Sequence, residues 1–435
     1  MLRRYKRGIA ALLFTLSGFA SASALAQNAP KTSPRVIALV DANVAGVDGE
    51  APIANAVVLI EGDRIKQVGP ASQVAIPAGT QTIAMQGKWL IPGLMNMHTH
   101  MGLKLTGAMG GAKETASGEA LRMASNARLS LLSGVTTIRI TGEENGNDFA
   151  LRSAIERGYA MGPRIKTSGM IIVPTGGHGK LEADGPYEMA RAVREQIKLG
   201  ADWIKIAISG GIGDQHGDIA SAPMTDAELA MLIEVAHRNG IKVTAHNGSP
   251  AAATQAARLG IDCFEHGYHL GEPELRLMKE KGIWLVPTIV VSRKGALEFF
   301  AKLGLPPENI ARAQSTSVDH WAMLKKAIAM GIPIALGTDQ FPYEPHDGTT
   351  ATIREAELYA EAGMSSLQAL QAATIKPAKL LGMEADVGRI AVGRYADIVA
   401  VDADPTKNIA ALRSLFFVMK GGSVVRDDRI PGLGQ

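Results

Sequence analysis

Leu90-Ile91-Pro92-Gly93-Leu94-Met95-Asn96-Met97-His98-Thr99-His100 is an apolar run that crosses a Pro-Gly break and ends in two histidines. On a β-strand successive side chains point to opposite faces, so residues i and i+2 share one. His98 and His100 are therefore expected to project together at the carboxyl end of a buried strand. Two imidazoles on one face can grip a metal ion. Taken alone, the pair is modest evidence, and two polar residues that merely end a strand are the alternative.

Working outward, strand and helix alternate. Strands are predicted at 90–97, 135–140, 165–173, 203–209, 243–246, 262–266, 283–291 and 334–338, with helical stretches between most of them. Thr225-x-x-Glu228 is a capping box opening a helix that closes at Gly240. Another helix is expected from Ser366, with Leu367, Leu370, Ala373 and Ile375 on its inner side. Eight such units predict an α/β fold, a (β/α)8 TIM barrel over residues 92–383. A doubly wound open sheet is the competing arrangement. The flanks, 35–91 and 384–431, read as short β-strands broken by Gly49, Gly62-Asp63, Gly393 and Gly421-Gly422. They predict a small β-sandwich domain built from both chain ends.

Barrel enzymes place their chemistry at the carboxyl ends of the strands. His98 and His100 end the first predicted strand, Lys205 lies in the fourth, His246 and His266 end the fifth and sixth, and Asp339 ends the eighth. Each alone has an ordinary structural explanation; Asp339, for instance, would serve as a helix cap. Lys205 is harder to explain that way, because a buried unpaired ammonium is costly. All six at one rim argue for a common site.

The chain has 435 residues, 46% hydrophobic and 20% charged, with a formal net charge of +3. This composition fits a packed enzyme-like protein, and the lack of a long basic run gives no footing for nucleic acid. Arg3, Arg4, Lys6 and Arg7 precede an apolar stretch and then Ala24-Leu25-Ala26, the pattern of a signal peptide (1–26) cleaved after Ala26. A secreted or periplasmic protein with no membrane segment after cleavage is expected; an uncleaved anchor is the alternative. Cys263 is the only cysteine, so no intrachain disulfide is possible, and its apolar setting predicts a buried free thiol.

Residues 92–100 resemble the first-strand signature of the amidohydrolase superfamily, and Gly388-Arg389-Ile390-Ala391-Val392-Gly393-Arg394-Tyr395-Ala396-Asp397 resembles its carboxyl-terminal return. The resemblance spans nearly the whole chain after the leader. It implies the binuclear subtype, with two divalent metal ions, zinc foremost. His98, His100 and Asp339 would bind the more buried ion and His246 and His266 the more exposed one. Lys205, carboxylated by CO2, would bridge both along with a hydroxide. A carbamate would also resolve the buried-lysine problem by removing the cation and supplying two oxygen ligands. In this picture the bridging hydroxide attacks, and Asp339 carries its proton to the leaving amine.

Within the superfamily the texture is similar to the prolidase-like and imidazolonepropionase-like group, which includes carboxypeptidases and ochratoxin-hydrolysing amidases. Thr175-Gly176-Gly177-His178-Gly179 and Glu265-His266-Gly267-Tyr268 match loops of that group, which makes His178 and Tyr268 the implied substrate contacts. Arg139 is followed by Ile140 where relatives usually carry Asp, so its role stays open. Residues 102–118 either cover the pocket or form a plain loop. The implied activity is hydrolysis of an amide or peptide bond to a C-terminal amino acid with a free carboxylate, ochratoxin A being one such substrate. A cyclic-amide or lactone hydrolase is the alternative, and a non-catalytic binding protein the remote one. A homo-oligomer is expected on resemblance alone.

Overall fold

The structure, a computed structural model, describes residues 35–104, 114–214 and 218–433. The leader read at 1–26 and the middle of the loop read at 102–118 lie outside the described residues.

The first ladder gathers strands from both chain ends. β1 (Val36–Val44), β2 (Ile53–Glu61), β3 (Arg64–Pro70), β4 (Gln81–Ala84) and β5 (Trp89–Pro92) come from the amino-terminal part. Among the described residues eleven strands follow in the middle of the chain, and β17 (Ile398–Val401), β18 (Phe417–Lys420) and β19 (Ser423–Asp427) come from the carboxyl-terminal part. They pair in the order β19-β18-β17-β5-β1-β2-β3, with β4 beside β1. Ile37 and Leu39 belong to one apolar cluster and Ala38 to another, as the two-residue period of β1 requires if both faces are covered.

The predicted strand 90–97 is in fact two. β5 pairs with β17, while β6 (Leu94–Thr99) pairs in parallel with β7 (Val135–Ile140), which pairs with β8 (Arg164–Thr167). The change of sheet takes one residue. Gly93 N–H donates to Asp397 O, and the next amide, Leu94, donates to Gly134 O. A Cβ at Gly93 would lie 2.1 Å from Thr136 Oγ1, so only glycine fits this crossing.

The third ladder is β9 (Ile172–Val173), β10 (Leu181–Glu182), β11 (Trp203–Ala207), β12 (Lys242–Asn247), β13 (Cys263–His266) and β14 (Trp284–Val286), in the order β10-β9-β11-β12-β13-β14. β15 (Pro345–His346) and β16 (Thr349–Thr350) form a small separate pair. The predicted strand 165–173 breaks into β8 and β9 at Gly169 (φ 66°), where a Cβ would lie 2.1 Å from Gln196 Oε1. The predicted 283–291 strand stops after three residues, because Pro287 lacks an N–H and Thr288 turns left-handed (φ 50°).

The predicted 334–338 strand is no ladder strand; one bridge joins Ile334 to Leu285. The segment nonetheless hydrogen-bonds on both sides. Leu285 N–H donates to Pro333 O, Met97 N–H to Leu336 O, and Thr338 N–H to His98 O. Similarly Asp202 N–H donates to Thr167 O between β8 and β11. Among the described residues the three ladders do not join into one closed ring.

Helices alternate with these strands: α1 (Ala116–Leu132), α2 (Asn147–Glu156), α3 (Gly185–Leu199), α4 (Asp226–Arg238), α5 (Pro250–Leu259), α6 (Glu272–Lys281), α7 (Lys294–Leu303), α8 (Pro307–Met330) and α9 (Ala351–Glu361). The Thr225/Glu228 capping box is formed at α4. The helix expected from Ser366 ends early, as α10 (Ser366–Ala372), and α11 (Ile375–Leu381) restarts beyond Thr374. Ala373 and Thr374 are buried at the break, and the Thr374 hydroxyl donates to Leu370 O. Among the described residues no helix is long and apolar enough to cross a membrane.

Candidate metal centre and cleft

Three acceptors meet at the end of β6. His98 Nε2 lies 3.2 Å from His100 Nε2, and Asp339 Oδ1 lies 3.2 Å and 3.0 Å from those two nitrogens. The other nitrogen of each ring is already committed. His98 Nδ1–H donates to the Glu265 carboxylate at 2.8 Å, and His100 Nδ1–H donates to Gly142 O at 2.7 Å. In the neutral tautomers both Nε2 lone pairs and a carboxylate oxygen therefore face one point, an arrangement that can hold a cation at its centre. Outer partners that fix the tautomer in this way are characteristic of metal-bound histidines. Burial disfavours the His100 cation, but the hydrogen bond to Asp339 and the charges of Asp339 and Glu143 raise it above the usual histidine value. Burial likewise opposes the Asp339 charge, yet His98, His100 and His266 hold that carboxylate well below its usual range.

A second group stands beside the first. The His266 ring is 4.9 Å from that of His98 and 4.6 Å from that of His246. His246 Nε2–H donates to Gly210 O, leaving Nδ1, and His266 Nδ1 is bonded to the Thr288 hydroxyl, leaving Nε2. Lys205 is buried in β11, and its ammonium forms no ion pair among the described residues. Burial pulls it down to about 8, against the attraction of Glu265 and Asp339. His98, His100 and Asp339 thus form one compact donor set with atoms within 4.8 Å. His246, His266 and Lys205 adjoin that set without entering it.

Strain concentrates here. His266 (φ 63°), Thr288 (φ 50°) and Asp339 (φ 54°) are left-handed non-glycine residues. Each such residue costs roughly 1–3 kcal/mol and persists only where its surroundings over-determine it. Gly337 shows how tight those surroundings are: a Cβ there would lie 2.4 Å from Val286 and 2.7 Å from the His98 Cβ.

Arg139, left open by the sequence, does not reach the cleft. It is fully buried, and its guanidinium donates to Glu265 Oε1 at 2.5 Å and to Met97 O. Glu265 also accepts from the Thr244 hydroxyl. Burial opposes the Glu265 charge, yet Arg139, His98 and Lys205 hold it far below the normal range. Sequence reading missed Glu265 as a support for His98. The available signal was one buried acid in β13 and one buried base in β7, each needing the other.

The site opens into a cleft of about 760 Å³. His100, His246, Asp339, His178 and Tyr268 all line it. Tyr268 stacks on His266 with planes 3° apart, and His178 lies 4.3 Å from the His246 ring. Phe299, Phe300, Leu303 and Leu305 form an apolar wall, while Glu119, Glu143 and Glu144 line another part. Burial raises Glu143 to about 7. Its carboxylate accepts the Gly102 N–H, and Arg122 binds Glu114 and Leu103 O, so both ends of the loop after β6 are anchored. Cys263 is free and buried, and burial pushes its thiol up to about 12.

The sequence profile of the amidohydrolase family matches residues 89–426. The chain is 30% identical to ochratoxinase from Aspergillus niger, over 89% of this chain and 85% of that one. The ochratoxinase crystal structure superposes with a TM-score of 0.77 at 28% identity, covering 93% and 98% of the two chains. Imidazolonepropionase from Symbiobacterium thermophilum is 27% identical over 77% of this chain and 81% of that one. A prolidase solved with N-methylphosphonate-L-proline superposes with a TM-score of 0.82 at 28% identity, covering 90% of this chain and all of the other. These neighbours imply a TIM-barrel-type α/β fold with an additional domain.

Proposed function

The chain belongs to the amidohydrolase family and is a hydrolase acting on C–N bonds, and from that premise we propose that it releases a C-terminal amino acid from an amide or peptide. The family generally uses metal ions, and the observation that carries the reading is the convergence of three acceptors on one point beside a substrate-sized cleft. The donor set fits divalent zinc, a borderline ion that accepts imidazole and carboxylate. In this reading His98, His100 and Asp339 hold one ion and His246 and His266 a second. Lys205, once carboxylated, would bridge them, losing its buried ammonium charge and supplying anionic oxygen ligands that the positive ions could balance. When bound, such ions polarise a carbonyl and lower the pKa of water.

The protein's own groups do the rest. Asp339 takes the proton of the attacking water and delivers it to the leaving amine. His178 and Tyr268 contact the substrate at the scissile carbonyl or its carboxylate. The wall of Phe299, Phe300, Leu303 and Leu305 suits an aryl or alkyl group on one side of the bond, which supports an ochratoxin-like aryl amide as substrate. We further read residues 92–383 as a closed (β/α)8 barrel with 334–338 as its eighth stave. Residues 35–91 and 384–431 then form the β-sandwich domain, and the leader directs export to the periplasm or beyond. The mature enzyme takes its substrate as a homo-oligomer, free of membrane and nucleic acid.

The test is a panel of N-acetyl amino acids, dipeptides, ochratoxin A, hydantoins and lactones on zinc-loaded protein, with metal analysis. Cleavage of linear amides bearing a free carboxylate, with near two zinc per chain, is expected. Turnover of hydantoins or lactones alone would overturn the reading in favour of cyclic substrates.

A further inference from the structure

His178 does not stand by itself. Its Nδ1–H donates to Asp214 Oδ1 at 2.6 Å, and Asp214 Oδ2 accepts the Gly211 N–H at 2.7 Å. The ring packs on Gly211 so closely that a Cβ there would lie 2.3 Å from His178 Cε1. Its other side meets the His246 ring at 4.3 Å. The loop bearing Asp214 is tied in turn to α8. Asn309, fully buried, donates to Ile212 O and Asp214 O, and Arg312 donates to Gly211 O and Asp214 O. Four hydrogen bonds from one helix thus hold three carbonyls, those of Gly211, Ile212 and Asp214, in the short stretch that carries this carboxylate.

We propose that Asp214 is a positioning residue for His178: together with the α8 anchors Asn309 and Arg312 it holds the imidazole with Nδ1–H tied back, so that Nε2 is the atom offered to the substrate. A free histidine samples two tautomers and several ring orientations. A carboxylate on Nδ1 removes that freedom, as the outer partners of His98 and His100 do for their rings. Gly211 N–H claims one Asp214 oxygen, so an asparagine there would turn its NH2 toward His178 and force the opposite tautomer. The inference rests on the proposed role of His178 at the substrate, and the test keeps the two apart.

The kinetic arm is a double-mutant cycle on zinc-loaded protein with the fastest substrate of the panel. Asp214→Ala is expected to lower kcat/KM roughly 10- to 100-fold, the range of lost orienting partners, with zinc content unchanged. In a His178→Ala background the same change is expected to cost nothing further. An equal loss in both backgrounds, or no loss in either, overturns the proposal. The spectroscopic arm needs no substrate. In [15N]histidine-labelled protein, the His178 signal, assigned by its loss in His178→Ala, is expected to show a protonated Nδ1 that becomes unprotonated in Asp214→Asn. An unchanged tautomer overturns the positioning role even if no amide in the panel is cleaved. A changed tautomer without any cleavage supports the positioning role and counts against the amidase reading instead.

Discussion

The two corners of the site are built differently. At the first, His98, His100 and Asp339 bring donor atoms to 3.0–3.2 Å of one another, with each free nitrogen selected by an outer hydrogen bond. At the second, His246 and His266 meet through their rings, and Lys205 presents a buried cation that repels both. The first corner is complete as amino acids alone. The second sets two imidazoles beside a buried ammonium, and in the proposed reading a carbamate on Lys205 would replace that cation by an anion.

The largest effect should come from the first corner. Asp339→Asn keeps the shape, removes the charge and removes the proposed proton carrier. A fall of about 10²–10⁴ in kcat is expected, the usual worth of a positioned acid–base group. Retention of full rate would remove Asp339 from the proton path. Lys205→Ala attacks the second corner, and metal content and rate should fall together. A variant that keeps two ions per chain at full rate would show that the two corners need no bridge.

A smaller effect should come from behind the first corner. Glu265→Gln weakens the anchor of His98 Nδ1 and leaves Arg139 buried opposite a neutral amide. Metal affinity should drop roughly 10- to 100-fold, as outer-partner losses do, while saturating zinc restores much of the rate. A competitive chelator titration measures this. An unchanged affinity would mean that His98 is held by its strand alone.

Much of this contrast was legible in the sequence because strand periodicity is strict. Two residues apart means one face, so His98 and His100 were placeable from spacing alone, and Lys205 stood out as a charge inside Trp203–Ala207. What the spacing could not supply was the non-local partner. Arg139 finds Glu265 across 126 positions, and nothing in either strand states that pairing. The strand ends were also misjudged wherever local chemistry outweighed apolar pattern. Gly93 divides one predicted strand between two sheets, Gly169 splits another, and Pro287 with Thr288 stops a third. Asp214 was invisible for a related reason: its significance is a contact with His178 made by two loops, and loops carry no period.

The smallest prediction concerns how the second corner is held. Thr288 is β-branched and left-handed, and its hydroxyl fixes His266. The turn after it is pinned by Glu355, whose two oxygens accept the N–H groups of Ile289 and Val290 at 2.8 Å. Burial raises this carboxyl to about 8, above its ordinary value of 4.5, despite those two hydrogen bonds. An acid with a raised folded-state pKa holds its proton more tightly folded than unfolded. Its contribution is therefore fully present below pH 4.5 and is lost as pH rises toward about 8. Glu355→Gln removes the titration and keeps one of the two acceptors that face the turn. The fall in melting temperature across that window should be shallower in the variant than in the parent, both at saturating zinc so that metal linkage cancels. Some slope should remain, because Glu143, raised to about 7, acts with the same sign. Parallel curves would place the Glu355 proton elsewhere. A variant that also loses rate at constant metal content would show that the Thr288 turn is held open for His266 by this carboxyl, making the second corner dependent on a group that touches neither metal nor substrate.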